Sequence, residues 1–62
     1  MDTTMEREEL ETKLRELGVT QERIDEADEL DGSLGIADLA ETTEGIIQCS
    51  YLENDQYFVK LA

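Results

Sequence analysis

The stretch EGIIQCSYLENDQYFVKLA, residues 44–62, decides how this chain folds. Residues 46–52 and 56–61 are rich in β-branched and aromatic side chains, and the polar residues between them suit a turn, so together they predict a β-hairpin. Apolar residues fall on both faces of these strands. The register of strand pairing therefore determines which face is buried, because a slip of one residue exchanges the two faces.

Two hairpin loops lead to different cores. A two-residue loop at 54–55 would place Ser50 opposite Val59 and mix polar with apolar side chains on both faces. A loop with one more residue places Leu52 opposite Phe58 and separates the two kinds of side chain. We therefore predict that the odd-numbered residues form the core face: Ile47, Cys49, Tyr51, Tyr57, Val59 and Leu61. The outer face then retains large apolar residues that we expect to contact a partner or a second copy: Ile46, Leu52 and Phe58.

The N-terminal third predicts one amphipathic helix. Thr3, followed three residues later by Glu6, fits a capping box. The apolar residues Leu10, Leu14 and Leu17 share one stripe at helical spacing. These features predict a helix over 4–17, preceded by frayed residues 1–3.

The middle of the chain predicts one or two further helices. Thr20 suits the N-cap of a helix over 21–30, and the Asp31-Gly32 pair should end it. Ser33 suits the N-cap of a third helix, although residues 34–36 could also form a short strand. We expect a single α+β domain over 1–62, with two to three N-terminal helices and a C-terminal antiparallel hairpin.

The composition limits how such a domain is stabilised. The chain has 62 residues, one cysteine and no histidine. A domain of this size buries only about 60% of its unfolded surface, so its core is thin. One cysteine cannot form an intramolecular disulfide, and one thiol without histidine cannot build a structural zinc site. Packing and self-association remain as sources of stability.

The charge limits the partners. Seventeen acidic residues against five basic ones give a net charge of -12. Such a surface repels phosphate backbones and anionic membranes, and it suits either a basic partner or a very salty solvent. The balance resembles that of halophilic archaeal proteins. No apolar run reaches the length of a membrane span and the start has no signal-peptide pattern, so we expect a cytoplasmic protein.

No residue pattern predicts catalysis, a cofactor or a metal. Cys49 falls on the predicted core face, where a cysteine usually behaves as a small hydrophobe, and no histidine is present to act as its base. The stretch ADELDGSLGIAD, residues 27–38, superficially follows a calcium loop. Ala27 at the first ligand position and Asp38 at the last depart from that pattern, and a helix end followed by a capped helix explains the stretch better. We expect a protein that is not an enzyme.

The order of elements resembles a winged helix-turn-helix domain over nearly the whole chain. The segments that carry the resemblance are GVTQERIDEADEL (18–30) as the second helix, DGS (31–33) as the turn, SLGIADLAETTEGII (33–47) as the third helix running into the wing, and YLENDQYFVKLA (51–62) as the wing and its return strand. DNA-binding domains of this type bring basic or amide side chains to the grooves. Here the third helix and the wing tip are acidic, so the resemblance implies the scaffold and argues against DNA as its ligand.

These observations lead to one main functional hypothesis and two alternatives. We expect a small acidic interaction or regulatory domain that acts through protein contacts, with self-association as a homodimer. The first alternative is a DNA mimic that inhibits a basic nucleic-acid-binding protein through a dense acidic surface: Asp25, Glu26, Asp28, Glu29 and Asp31. The second is a DNA-binding regulator adapted to high salt.

Overall fold

Strands at both ends of the chain enclose two helices. A computed structural model describes all residues, 1–62, and gives the element order β1 (Asp2–Glu6), α1 (Arg7–Glu16), α2 (Gln21–Glu41), β2 (Ile46–Tyr51) and β3 (Gln56–Leu61). The strands form one antiparallel sheet in the order β1-β3-β2. The predicted α+β class and the C-terminal hairpin are therefore confirmed, and the sheet gains a third strand.

The third strand corrects the start of the first helix. Thr3 pairs with Val59 in the β1–β3 ladder, and the Met1 ammonium group donates to the Leu61 carbonyl oxygen at 2.7 Å. The predicted box between Thr3 and Glu6 is wrong. Glu6 itself is the N-cap of α1, and its backbone N–H donates to the Glu9 carboxylate at 3.4 Å. The free edge of β3 supplies backbone partners over a long sequence separation, and these outweigh a local capping signal.

Helix α1 buries the predicted stripe. Leu10 and Leu14 are fully buried, and Leu17 packs against the core. Gly18 follows the C-cap residue Leu17 and has a φ of +99°, in the left-handed region, and the Val19 N–H donates to the Leu14 carbonyl oxygen at 2.9 Å. This ending matches the glycine that the sequence offers there.

Helix α2 is bent sharply in its middle. The Thr20 hydroxyl caps it by accepting from the Arg23 N–H at 3.2 Å. Asp31 (φ −151°) and Gly32 (φ 59°, ψ −135°) are not helical, so the predicted break is confirmed, and residues 34–36 are helical rather than a strand. The bend brings the two halves so close that a Cβ on Gly35 would overlap the backbone of Ala27.

The hairpin has a register that neither loop alone predicts. Asn54 (φ 53°) and Asp55 (φ 58°) form a two-residue turn of the type that favours hairpins. The Leu52 N–H donates to the Gln56 carbonyl oxygen at 2.8 Å, while the Gln56 N–H donates to the Glu53 carbonyl oxygen at 3.0 Å. One residue of β3 thus faces two residues across the turn, which is a bulge. The bulge restores the separation of polar and apolar faces that a plain two-residue loop would lose.

The resulting pairs differ from the predicted ones but keep the predicted faces. Phe58 is opposite Ser50, not Leu52, and Cys49 is opposite Val59. This register differs from the prediction by two residues, so the side chains from Gln48 onward still point to the predicted side. Cys49, Tyr57 and Val59 are buried, and Tyr51 and Leu61 pack against the core.

The two isoleucines at the start of β2 are exchanged relative to the prediction. Ile46 is 6% exposed and belongs to the core, whereas Ile47 is 57% exposed. The cause is a second irregularity: Ile46 pairs with Leu61 and Gln48 pairs with Lys60, so Ile47 has no partner on β3. The prediction that Ile46 lies outside the core is wrong.

Candidate functional site

One face of the sheet has no helix over it. The fully buried residues of both helices belong to the same cluster as Tyr57 and Val59, so both helices pack on one side: Leu10, Leu14, Ile24 and Ile36. The opposite side, which we call the open face, is formed by the even-numbered residues of β1 and β3 together with Gln48 and Ser50 of β2. The chain has no further helix or strand that could cover the open face.

Large apolar side chains lie on and beside the open face. Phe58 is half-buried in the central strand, between Thr4 on β1 and Ser50 on β2. Leu52 lies two residues beyond Ser50, within diagonal reach of Phe58, and is 49% exposed. Ile47 lies next to Gln48 at the margin of the same face. None of these three apolar residues belongs to the core cluster.

The open face carries little charge for so acidic a chain. Across its centre, Thr4, Phe58 and Ser50 form a neutral row. Lys60, the only basic residue after Arg23, is opposite Asp2 in the next row. The remaining carboxylate on β1 is Glu6, at the turn end of the strand. Most of the net charge of -12 therefore lies on the helices.

The predicted acidic surface follows the first half of α2. Asp28 is the one member with an ion pair, at 3.1 Å from the Arg7 guanidinium, which also contacts Glu11 at 2.9 Å. The hydrogen bond to Glu11, assisted by the charge of Asp28, raises the pKa of Arg7 above its already high ordinary value. The other members are exposed and form no ion pair: Asp25, Glu26, Glu29 and Asp31.

Arg7, the first residue of α1, also contacts both the hairpin turn and α2. Its backbone N–H donates to the Asp55 carbonyl oxygen at 2.9 Å, in the hairpin turn, while its side chain reaches α2 through Asp28. The start of α1, the bent helix and the hairpin thus meet at one residue. The concavity beside this contact, about 300 Å³, is lined only by polar and charged residues: Glu6, Arg7, Glu8, Asn54 and Asp55.

The single cysteine is placed for packing and not for chemistry. Cys49 is 2% exposed, and burial, with the nearby Glu41 charge, raises the pKa of its thiol to about 11. A nucleophilic thiol needs a lowered pKa and an adjacent base. Burial also raises the pKa of Tyr57, whose hydroxyl makes no hydrogen bond. Its ring packs edge-on against Tyr51, with 5.3 Å between the ring centres.

The largest surface concavity, about 720 Å³, runs along α1 and is lined mainly by charged residues on that helix. No group of three or more cysteine or acidic side chains is placed to hold a metal ion. Neither helix combines the length and apolar character that crossing a membrane requires.

Comparison with known proteins returned no match to a family model, to a curated protein or to a solved structure. Leu52 and Phe58 lie outside the core, where the sequence placed them, and Ile46 does not. Sequence reasoning missed Ile47 as the outward residue, because the bulge that turns it out depends on pairing with β3 and has no local signal.

Proposed function

We propose that this chain is a small, non-enzymatic interaction or regulatory domain that acts through protein contacts and self-associates as a homodimer through the open face. One observation carries the proposal: the open face combines Phe58, Leu52 and Ile47 with a nearly neutral surface, on a chain whose net charge is -12. A contiguous apolar spot without a covering element is characteristic of a protein-contact surface.

Energetics favour covering this face. Only ten of the 62 residues are buried, so the core provides limited stabilisation. Complete burial of a Leu or Phe side chain contributes about 1.5–3 kcal/mol. Phe58 and Leu52 are already about half-buried, so a partner that covers the rest of each side chain contributes roughly 1 kcal/mol per residue to the stability of this domain. Two copies repel each other through their total charge, and salt screens that repulsion, so self-association should strengthen as salt rises.

The winged-helix description is part of the proposal. The bend at Asp31-Gly32 separates two helical segments, and a hairpin with its tip at 54–55 follows them. That order supports a winged-helix-like scaffold. The exposed carboxylates on the last helical segment and on the hairpin tip would repel a DNA backbone, so the domain regulates through protein contacts.

Sedimentation tests the proposal directly. We expect the wild-type protein to dimerise more tightly in 2 M KCl than in 0.15 M KCl. Phe58→Ser should remain folded by circular dichroism and weaken the dimer at least tenfold. Thr4→Ser, a change on the same face without loss of an apolar side chain, should leave it unchanged. A wild type that remains monomeric at millimolar concentration in both salts, or a Phe58→Ser variant that dimerises normally, would overturn the proposal.

The exposed, unpaired carboxylates of α2 favour a DNA mimic as the second candidate function. Mimicry depends on charge, so binding to a basic nucleic-acid-binding protein should collapse as salt rises, whereas apolar contacts should persist. A mobility-shift assay with random duplex DNA distinguishes the interaction domain and the DNA mimic from the salt-adapted DNA-binding alternative. We expect no shift at micromolar protein and moderate salt.

A further inference from the structure

Two exposed leucines flank the bend in α2. Leu30 is 79% exposed and Leu34 is 58% exposed, which makes them, with Met1 and Ile47, the most exposed large apolar side chains of the chain. They are four residues apart, on either side of Asp31-Gly32. We call Leu30 and Leu34 the elbow pair. It belongs to the helices, which cover the other side of the sheet, so it is separate from the open face.

The core does not require the elbow pair. The two helical halves bury other residues: Ile24, Ile36, Ala37 and Ala40. The close approach of the halves depends on Gly35 and Ala27, not on either leucine. Polar side chains at positions 30 and 34 would leave these contacts intact. Folding therefore gives no reason for two leucines at the most exposed point of the bend.

The charge around the elbow pair specifies what could cover it. Glu29 and Asp31 adjoin Leu30 in the chain, Glu26 lies one helical turn before it and Asp38 one turn after Leu34, and all four carboxylates are exposed. None of them has an ion-pair partner. The elbow pair thus lies within uncompensated negative charge. A second copy would bring two such acidic rims together, so electrostatics disfavour self-association here.

We propose that the elbow pair and its acidic rim form a docking site for a basic amphipathic segment of another protein. The apolar face of that segment covers Leu30 and Leu34, and its Lys or Arg side chains pair with the surrounding carboxylates. The inference rests on the proposed function, in that the domain works through protein contacts, but it assigns a different partner to a different surface.

A synthetic peptide tests the site. The probe is a labelled 14-residue helix with leucine at positions 3, 6, 7 and 10 and lysine at most others, and its binding is followed by fluorescence anisotropy. We expect the double variant Leu30→Ser/Leu34→Ser to weaken binding at least tenfold. Ile47→Ser removes an equally exposed apolar side chain elsewhere and should change binding less than twofold. Glu29→Gln/Asp31→Asn should weaken binding and reduce its salt dependence.

Two further peptides decide between apolar docking and simple charge attraction. A peptide of the same composition with its leucines dispersed should bind at least tenfold more weakly, and one with glutamate in place of lysine should not bind. Equal binding of the dispersed peptide, unchanged binding by the double leucine variant, or no binding of the probe would overturn the inference. Leu30→Ala/Leu34→Ala is a second double variant, which removes the large apolar side chains but keeps residues that favour a helix. Circular dichroism checks that it remains folded.

Sedimentation of the same double variant keeps this inference distinct from the dimer. We expect Leu30→Ser/Leu34→Ser to dimerise as the wild type does, because the open face is unchanged. Loss of the dimer in this variant would identify a second copy as the occupant and overturn the docking inference. Conversely, a Phe58→Ser variant that fails to dimerise but binds the peptide normally would support two independent surfaces.

Discussion

Gly35→Ala should be one of the most damaging single-methyl substitutions in this chain. Gly35 is in the second half of α2, where an added Cβ would overlap the carbonyl oxygen of Ala27 and come within 3.1 Å of its carbonyl carbon and 3.3 Å of the Asp31 Cβ. Backbone atoms cannot rotate away as a flexible side chain can. The two helical halves must separate, and Ile24 and Ile36, which anchor them in the core, must shift with them.

Two opposing effects determine how much stability Gly35→Ala loses. Alanine is favoured over glycine inside a helix by about 0.5–1 kcal/mol. Overpacking costs about 1–3 kcal/mol, and a backbone obstacle belongs at the upper end of that range, so the net loss is about 2 kcal/mol. At 0.05–0.15 kcal/mol per residue, the free energy of unfolding of a 62-residue domain is about 3–9 kcal/mol. The midpoint of thermal unfolding should then fall by about 10 °C.

Thermal and urea unfolding followed by circular dichroism measure this loss. Asp38→Ala, an exposed position on the same helical segment, is the control and should change stability by less than about 0.5 kcal/mol. A Gly35→Ala variant that is as stable as the wild type, or more stable, would refute the close approach of the two halves. It would mean that the two halves of α2 are farther apart at Gly35 and Ala27 than in this structure.

Three further outcomes follow from charge and burial. The thermal midpoint should rise steeply from dilute buffer to molar KCl, because salt screens a net charge of -12; equal midpoints would contradict this. Burial raises the pKa of Cys49 from 9.0 to about 11, so the unfolded chain loses that proton first. Stability should be full below pH 9 and fall between pH 9 and 11, and Cys49→Ala should show a shallower decline. Asp28→Asn removes an ion pair that is partly exposed, while Arg7 keeps Glu11, so a chemical denaturation curve should show a loss of at most about 1 kcal/mol.

Local sequence signals predicted the elements whose structure is decided locally. The Thr20 side chain caps α2, Gly18 follows the end of α1 with a positive φ, and Asp31-Gly32 interrupts α2, and none of these local features needs a distant partner. The buried face of the hairpin could also be predicted, since segregation of apolar residues constrains the parity of the register. The wrong pairs, such as Leu52 with Phe58, share the parity of the true ones and differ only by two residues.

Long-range pairing decided the features that the sequence did not reveal. The strand at Asp2–Glu6 forms because β3 has a free edge, and its residues carry only a weak strand pattern beside a strong capping pattern. Long-range pairing also decides which apolar residues lie on the open face. Leu52 and Phe58 follow from strand alternation, but the identity of the third apolar residue depends on a bulge that only the β2–β3 ladder defines.

That bulge makes the adjacent isoleucines a matched pair for testing the sheet. Ile46 is 6% exposed and belongs to the core cluster, whereas its neighbour Ile47 is 57% exposed and outside it. Truncation of a buried isoleucine costs about 2–5 kcal/mol, so Ile46→Ser should unfold much of a domain this small. Ile47→Ser should change stability by less than about 0.5 kcal/mol. Regular alternation without the bulge predicts the reverse order, so a stable Ile46→Ser variant beside an unfolded Ile47→Ser variant would remove the bulge and restore Ile46 to the open face.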